Sequence, residues 1–305
     1  MQKLLIAGAC GFVGKNLIEL LNERYTLIVL DRNIDVEFLA KFPNVVKYRY
    51  DFVDIDALHE IIFAERPDYI INLISMVTAE RDLALFPSLI NTNAEVLLKF
   101  YTVLKEYTSL KLFIQFGSAE EYGNIKPPYS EDSREQPDSP YAIVKLLATN
   151  ISLMLHRNYG FPVTVVRPGN LFGKYQPQNK LIPYMIAKLK RNERIDLTPG
   201  EQKRDFIYIK DLVLAIVSIL SVPEDAAGQV INLSYGKGVS IKQVVEYLKT
   251  KLGSASVVCF GALPYRENEM MNFECDIGKL KRIAKTKFEF DLFSGLDNLL
   301  YEEAK

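Results

Sequence analysis

The sequence predicts an α/β protein: a doubly wound parallel sheet with a smaller, discontinuous domain beside it. Short β-branched runs alternate with segments of helical periodicity through the first half of the chain. The runs are apolar nearly throughout, as expected of strands covered on both faces by crossover helices; half-exposed strands would alternate apolar with polar residues. Past residue 168 the alternation weakens and the loops become rich in charge.

The first strand is LLIAG at 4–8, followed by a helix from Gly11 to about Asn22 and the strand TLIVLD at 26–31. VVKYRYD at 45–51, a helix from Ile55 to about Glu65, YIINLI at 69–74, a long helix around 86–107 and KLFIQFG at 111–117 continue the pattern. A polar, proline-containing loop runs from Pro127 to Pro140, then a helix from Tyr141 to about Tyr159 and the strand VTVVRP at 163–168. Helices at 181–191, 210–220 and 241–252 and short strands near 205–209, 229–233 and 256–260 complete the chain. No repeat, low-complexity tract or Gly/Ser-rich linker separates the halves, so they should pack closely around a cleft.

With 305 residues and 49% hydrophobic content, the chain can bury a substantial core without disulfides. Cys10, Cys259 and Cys275 form no CxxC pair and have no neighbouring histidine, so neither zinc nor any other metal is expected, and a reducing, cytoplasmic setting fits. The N-terminal run lacks the regions of a signal peptide, and no apolar stretch approaches the ~20 residues of a membrane span. A balance of 37 basic against 38 acidic residues argues against nucleic acid as a partner. His59 and His156 lie in helical segments without triad or metal spacing.

Gly8, Gly11 and Gly14 in GACGFVG fall between a strand and a helix, where glycines permit a tight turn and let a pyrophosphate reach free helix N–H groups. Phe12 and Val13, between the last two glycines, belong to the same candidate cofactor-binding turn; the alternative is an ordinary glycine-rich βα turn. Asp31 ends the second strand, where a carboxylate can accept hydrogen bonds from an adenosine ribose, which favours NAD. Arg32 could instead pair with a 2′-phosphate, which keeps NADP open, or be a solvated surface residue. Asp51, after the third strand, could receive the adenine amino group or simply serve its turn.

Tyr141 and Lys145 in YAIVK lie four apart at a helix start, so both side chains project from one face. They are the candidate catalytic pair and would also border the cofactor. A nearby ammonium and a positive nicotinamide ring would favour the phenolate, and lowering a tyrosine pKa by ~3 units takes ~4 kcal/mol. The spacing alone is uninformative, because it recurs at Tyr101, Tyr107, Tyr122, Tyr184, Tyr247 and Tyr301. Position decides: Tyr141 opens the helix between the fifth and sixth strands, downstream of Ser118 at a strand's carboxyl end, the edge where open α/β sheets bind ligands. The Ser118 hydroxyl could hold the substrate oxygen whose proton Tyr141 handles, or cap a turn.

Taken in order, Gly8, Gly11, Gly14, Asp31, Ser118, Tyr141 and Lys145 make the sequence resemble the extended short-chain dehydrogenase/reductases, in particular the NAD-dependent sugar-nucleotide epimerase/dehydratase family. RPGNLFG at 167–173, RDFIYIKD at 204–211 and NLSYGKGVS at 232–240 extend the resemblance over essentially the whole chain. It implies a Rossmann-type dinucleotide-binding domain of residues 1–167 and 205–233, a substrate-binding domain of 168–204 and 234–305, and a homodimer. It further implies that Asn170 contacts the phosphate region of a nucleotide sugar, that Arg204 and Arg266 clamp the diphosphate, and that Asn93 lies near nicotinamide and substrate. Structural salt bridges for the arginines and helix capping for Asn93 are the alternatives.

The family passes a hydride between a sugar carbon, usually C4, and the nicotinamide. A 4,6-dehydratase needs further acid–base groups, often an acidic pair after the hydroxyl residue; here Ala119 occupies the first place and Glu120 remains, as a possible acid or base or as a surface glutamate. GSAEEYG resembles reductases of nucleotide-linked 4-keto-6-deoxyhexoses, which ranks reduction first, 4-epimerisation second and dehydration third. Asn72 and Ser75 in NLIS, and Gly117 before Ser118, depart from common family patterns. A non-catalytic dinucleotide-binding regulator on the same fold is the alternative from another class.

Overall fold

The computed structural model describes residues 1–266 and 269–304. The chain begins β1 (Lys3–Ala7), α1 (Phe12–Leu21), β2 (Thr26–Asp31), α2 (Val36–Leu39), β3 (Val46–Arg49), α3 (Ile55–Glu65) and β4 (Tyr69–Asn72). It continues with α4 (Phe86–Ile90), α5 (Val96–Leu104), β5 (Leu112–Phe116), α6 (Pro140–Tyr159) and β6 (Val163–Pro168). Next come β7 (Asn170–Phe172), α7 (Leu181–Lys190), β8 (Ile195–Leu197), β9 (Lys203–Tyr208), α8 (Ile209–Leu220), α9 (Pro223–Ala226) and β10 (Val230–Leu233). The last elements are β11 (Gly238–Ser240), α10 (Ile241–Lys251), β12 (Val258–Phe260), α11 (Gly278–Ala284) and α12 (Leu292–Glu303).

Seven strands form one parallel sheet in the order β10-β6-β5-β4-β1-β2-β3, so the chain reverses direction across the sheet between β1 and β4. Successive strand residues serve opposite layers: Leu4, Ile6, Leu27 and Val29 enter one apolar core, while Leu5, Ala7, Ile28 and Leu30 enter the other. Burial on both faces is why these strands read as unbroken apolar runs. The exception is β3, whose residues alternate half-buried and exposed, because it is the sheet's edge and is not fully covered.

The helix expected around 86–107 is interrupted. A π-helical turn at 91–95 joins α4 to α5 and turns Asn93 into the protein. Of the short elements after β6, the strands expected near 205–209, 229–233 and 256–260 are β9, β10 and β12, whereas β7, β8 and β11 were not legible in the sequence: β7 and β11 flank β9 in a three-stranded sheet, and β8 pairs with β12. No helix among the described residues is long and apolar enough to cross a membrane.

Candidate functional site

The glycine turn lies at the reversal between β1 and β4. Gly8 has φ +79°, and a Cβ there would lie 3.1 Å from the backbone nitrogen of Ile74. At Gly14 a Cβ would come within 2.3 Å of the Ala9 carbonyl oxygen, so only glycine lets α1 pack this closely on the turn. Gly11 caps α1 without a side chain, which leaves the first N–H groups, at Phe12 and Val13, for an anionic ligand.

The Asp31 carboxylate accepts from the Cys10 N–H and the Asn33 N–H, both at 2.9 Å, and so is held at the turn's edge. Gly8, Gly11, Asp31, Arg32, Asp51 and Ser75 all line one crevice of about 490 Å³. Asp51 accepts from its own turn, at the Val53 N–H, and Arg32 is exposed at the rim. A glycine cradle that any Cβ would fill, an uncapped helix start and a fixed carboxylate together fit NAD.

The proposed catalytic residues converge further along the same sheet edge. Tyr141, in the first turn of α6, is 5% exposed, and Ser118 and Ser75 lie close enough to act on its hydroxyl. Ser118 caps the short turn after β5: its hydroxyl accepts from the Glu120 N–H at 3.1 Å, and its own N–H donates to Glu121 Oε1 at 2.8 Å. Lys145 is fully enclosed, donates to the Phe116 carbonyl at 2.8 Å and lies 5.8 Å from the Tyr141 ring centre. Of the lysines in the other four-apart pairs, Lys111, Lys188 and Lys251 form ion pairs at the surface instead.

The expected depression of the Tyr141 pKa does not occur in the protein alone. Burial pushes it up and the Glu120 carboxylate adds to the rise, while the Ser118 and Ser75 hydroxyls work the other way. Lys145 is drawn down by burial to about 8, against a pull upward from Glu121. A lysine whose pKa falls on folding is a cost: the penalty is complete below pH ~8 and fades as pH rises towards ~10.4. Lys145→Met should therefore stabilise the fold by about 2 kcal/mol at pH 7, after loss of the bond to Phe116. Above pH ~10.5 the variant should become the less stable protein. Urea melts across this range check the reversal, and a lower midpoint for the variant at pH 7 would refute it.

Glu120 is exposed at the cleft mouth, where the surrounding protein and the Asp138 carboxylate raise its pKa against Lys180, Arg81 and Arg204. Its neighbour Glu121 is buried and receives Thr149 Oγ1 at 2.7 Å and Arg167 Nε at 2.8 Å. Arg167 also pairs with Glu135 and stacks over Tyr122. Sequence reasoning missed this network and its hold on Ser118. The signal was present: Ser118-x-x-Glu121 is a capping box, in which the glutamate returns to the cap residue's N–H.

The remaining candidates are placed as follows. Asn93 does not cap a helix and is buried behind the crevice: its amide donates to the carbonyls of Leu89 and Met76, and its Oδ1 accepts from Ser75 at 2.6 Å. Asn170 opens β7, half-buried, with a 3.5 Å contact to the Asp205 carbonyl. Arg204 pairs with Glu269 and donates to the Met270 carbonyl, and Arg266 is exposed. Among the described residues no group of three or more His, Cys, Asp or Glu could hold a metal ion.

Residues 4–234 match the model of the NAD dependent epimerase/dehydratase family. A CDP-abequose synthase of Salmonella muenchen is 28% identical over 98% of this chain and 97% of its own length. A dTDP-4-dehydro-6-deoxyglucose reductase of Escherichia coli is 25% identical over 84% of both chains. The UDP-glucuronic acid 4-epimerase of Bacillus cereus, solved with UDP-glucuronic acid and NAD, shares the fold over all of both chains, with a TM-score of 0.89 and 22% identity. The glycine cradle, the Asp31 carboxylate and the match over most of the chain lead to one conclusion: this protein is an enzyme of the NAD-dependent epimerase/dehydratase family, with the fold of the extended short-chain dehydrogenase/reductases.

Proposed function

We propose that this enzyme reduces the C4 carbonyl of a nucleotide-linked 4-keto-6-deoxyhexose to the alcohol, with a reduced nicotinamide cofactor supplying the hydride. The observation that carries this reading is the supply of carboxylates. Beside Tyr141 and Ser118, Glu120 is the one carboxylate left without a hydrogen-bond or ion-pair partner among the described residues, since Arg167 and Thr149 hold Glu121 and Arg81 holds Asp138. Expelling the C6 hydroxyl while removing the C5 proton needs an acid and a base beyond the tyrosine; reduction at C4 needs neither.

Tyr141 gives its proton to the sugar oxygen as the carbonyl becomes an alcohol, and Ser118 donates a hydrogen bond to the same oxygen. Lys145, held by the Phe116 carbonyl, offsets the negative charge left on the phenolate. Gly8, Gly11, Phe12, Val13, Gly14, Asp31, Arg32 and Asp51 hold the cofactor, with Tyr141 and Lys145 at its nicotinamide end. On the substrate side Asn170, Arg204 and Arg266 take the nucleotide diphosphate, for which Arg204 exchanges Glu269 for phosphate. Asn93 acts from behind the crevice. The division into a dinucleotide-binding domain (1–167, 205–233) and a substrate-binding domain (168–204, 234–305) belongs to this reading, as does a cytoplasmic location. Exposed Leu98 on α5 and Ile143 and Leu147 on α6 provide an apolar face for a homodimer.

The name of the deoxyglucose reductase favours reduction. The test is to denature freshly purified protein, identify any released nucleotide by mass spectrometry, and then supply NADH or NADPH with nucleotide-linked 4-keto-6-deoxyglucose. Reduction predicts little retained cofactor and one reduced cofactor consumed per alcohol formed. Stoichiometric retained NAD, with inversion at C4 and no net redox, would instead establish 4-epimerisation, the second reading.

A further inference from the structure

One wall of the cofactor crevice is a turn in a conformation that its own residue type disfavours. Phe52, between β3 and α3, has φ +65°, a region that a bulky L side chain rarely enters because its Cβ crowds a neighbouring carbonyl. Neither glycine nor asparagine stands there to ease it, so the surrounding groups must fix it. Two of those groups come from α5. The Phe100 ring meets the Phe52 ring with centres 6.1 Å apart, and the Lys99 ammonium donates to the Phe52 carbonyl at 2.9 Å, across 47 positions of sequence. Tyr50 meets the buried Phe52 ring at 4.8 Å. On either side of Phe52 the turn is joined by the bond from the Val53 N–H to the Asp51 carboxylate at 3.1 Å.

Lys99 also pairs with Glu95 at 3.3 Å, one helical turn earlier. A partly exposed pair at that spacing contributes little. The bond to Phe52 is different in kind: a charged donor, on a side chain only 20% exposed, holds the backbone of a left-handed residue. Asp51, Phe52, Val53 and Lys99 all line the crevice that contains Gly11 and Asp31. We infer that Lys99 is a positioning residue for the adenosine half of the cofactor: by holding the Phe52 carbonyl, it keeps the turn at 51–53 in the form that walls the crevice. Without this clamp the binding-competent turn becomes a fraction of the population, and cofactor affinity falls in proportion to that fraction. Tyr141, Ser118 and Lys145 make no use of the clamp, so its loss acts on affinity and spares the nicotinamide end.

The inference rests on the crevice receiving the adenosine at Asp31, and the two ideas fail differently. Calorimetric titration, after removal of any retained nucleotide, compares two cofactor fragments. ADP-ribose carries the adenosine and lacks the nicotinamide; reduced nicotinamide mononucleotide lacks the adenosine. Lys99→Met keeps the length of the side chain and loses the donor. It should raise the Kd for ADP-ribose and for NADH about tenfold, the scale of one charge-assisted hydrogen bond, and leave the mononucleotide within about twofold. Lys99→Arg, which keeps a cationic donor, should recover most of the loss. Unchanged ADP-ribose affinity in Lys99→Met would overturn the inference, and so would an equal loss for the mononucleotide, which reports a general loosening of the crevice. Asp31→Ala tests the placement of the adenosine separately: it should weaken ADP-ribose as well, and full affinity in that variant would move the adenosine elsewhere and remove the ground of the inference, whatever Lys99→Met does.

Discussion

Replacing Tyr141 by phenylalanine should lower kcat by between about 10² and 10⁴, the range for loss of a positioned general acid, while NAD affinity stays within about twofold. The side chain is buried in the layer that contains Val144 and Ala148, so the ring of phenylalanine occupies the same space and only the oxygen is lost. Ser118 keeps its hydroxyl and its cap, and Lys145 keeps its bond to Phe116. The defect should therefore fall on kcat, with KM little changed. Stopped-flow hydride transfer together with a fluorescence titration of the cofactor separates the two effects. A variant retaining more than about a third of wild-type turnover would exclude Tyr141 from proton transfer.

The second large effect is structural. Arg167→Met should destabilise the fold by about 3–5 kcal/mol, the cost of stranding a buried charge whose partner has been removed. Arg167 and Glu121 are both fully enclosed, and their 2.7 Å ion pair has no water to fall back on. Without the guanidinium, the carboxylate that holds the Ser118 N–H loses its main partner, so a catalytic defect should accompany the instability. Urea denaturation at pH 7 measures the first, and kcat under native conditions the second. The double variant Arg167→Met, Glu121→Gln should recover much of the stability, because the enclosed position then carries no charge and the other partner, Glu135, keeps partial access to water. A single variant within about 1 kcal/mol of wild type would show that Glu121 is neutral or finds another partner.

The legible part of this protein was local. Strand and helix periods, the glycine turn and the acid at the end of β2 depend on residues within a few positions of one another, and they emerged within a residue or two of where the pattern placed them. Where neighbouring elements compete for a face, legibility failed. The π-helical turn falls on the polar run NTNAE at 91–95, a single turn too short for a period of its own to announce it. The three-residue strands β7, β8 and β11 are too short to develop a period.

By itself the sequence determined a parallel sheet with helices on both faces, a phosphate-ready turn where no Cβ fits at Gly14, and a tyrosine and lysine on one helical face, because each follows from i-to-i+2 or i-to-i+4 geometry. Tertiary structure decided the rest. It sequestered Glu121 with Arg167 and left Glu120 without a partner among the described residues, spent Arg204 on Glu269, and joined Ser75 to Asn93. These are encounters between groups far apart in the chain, and the direction in which a hydroxyl proton points depends on every acceptor around it, which no spacing rule encodes.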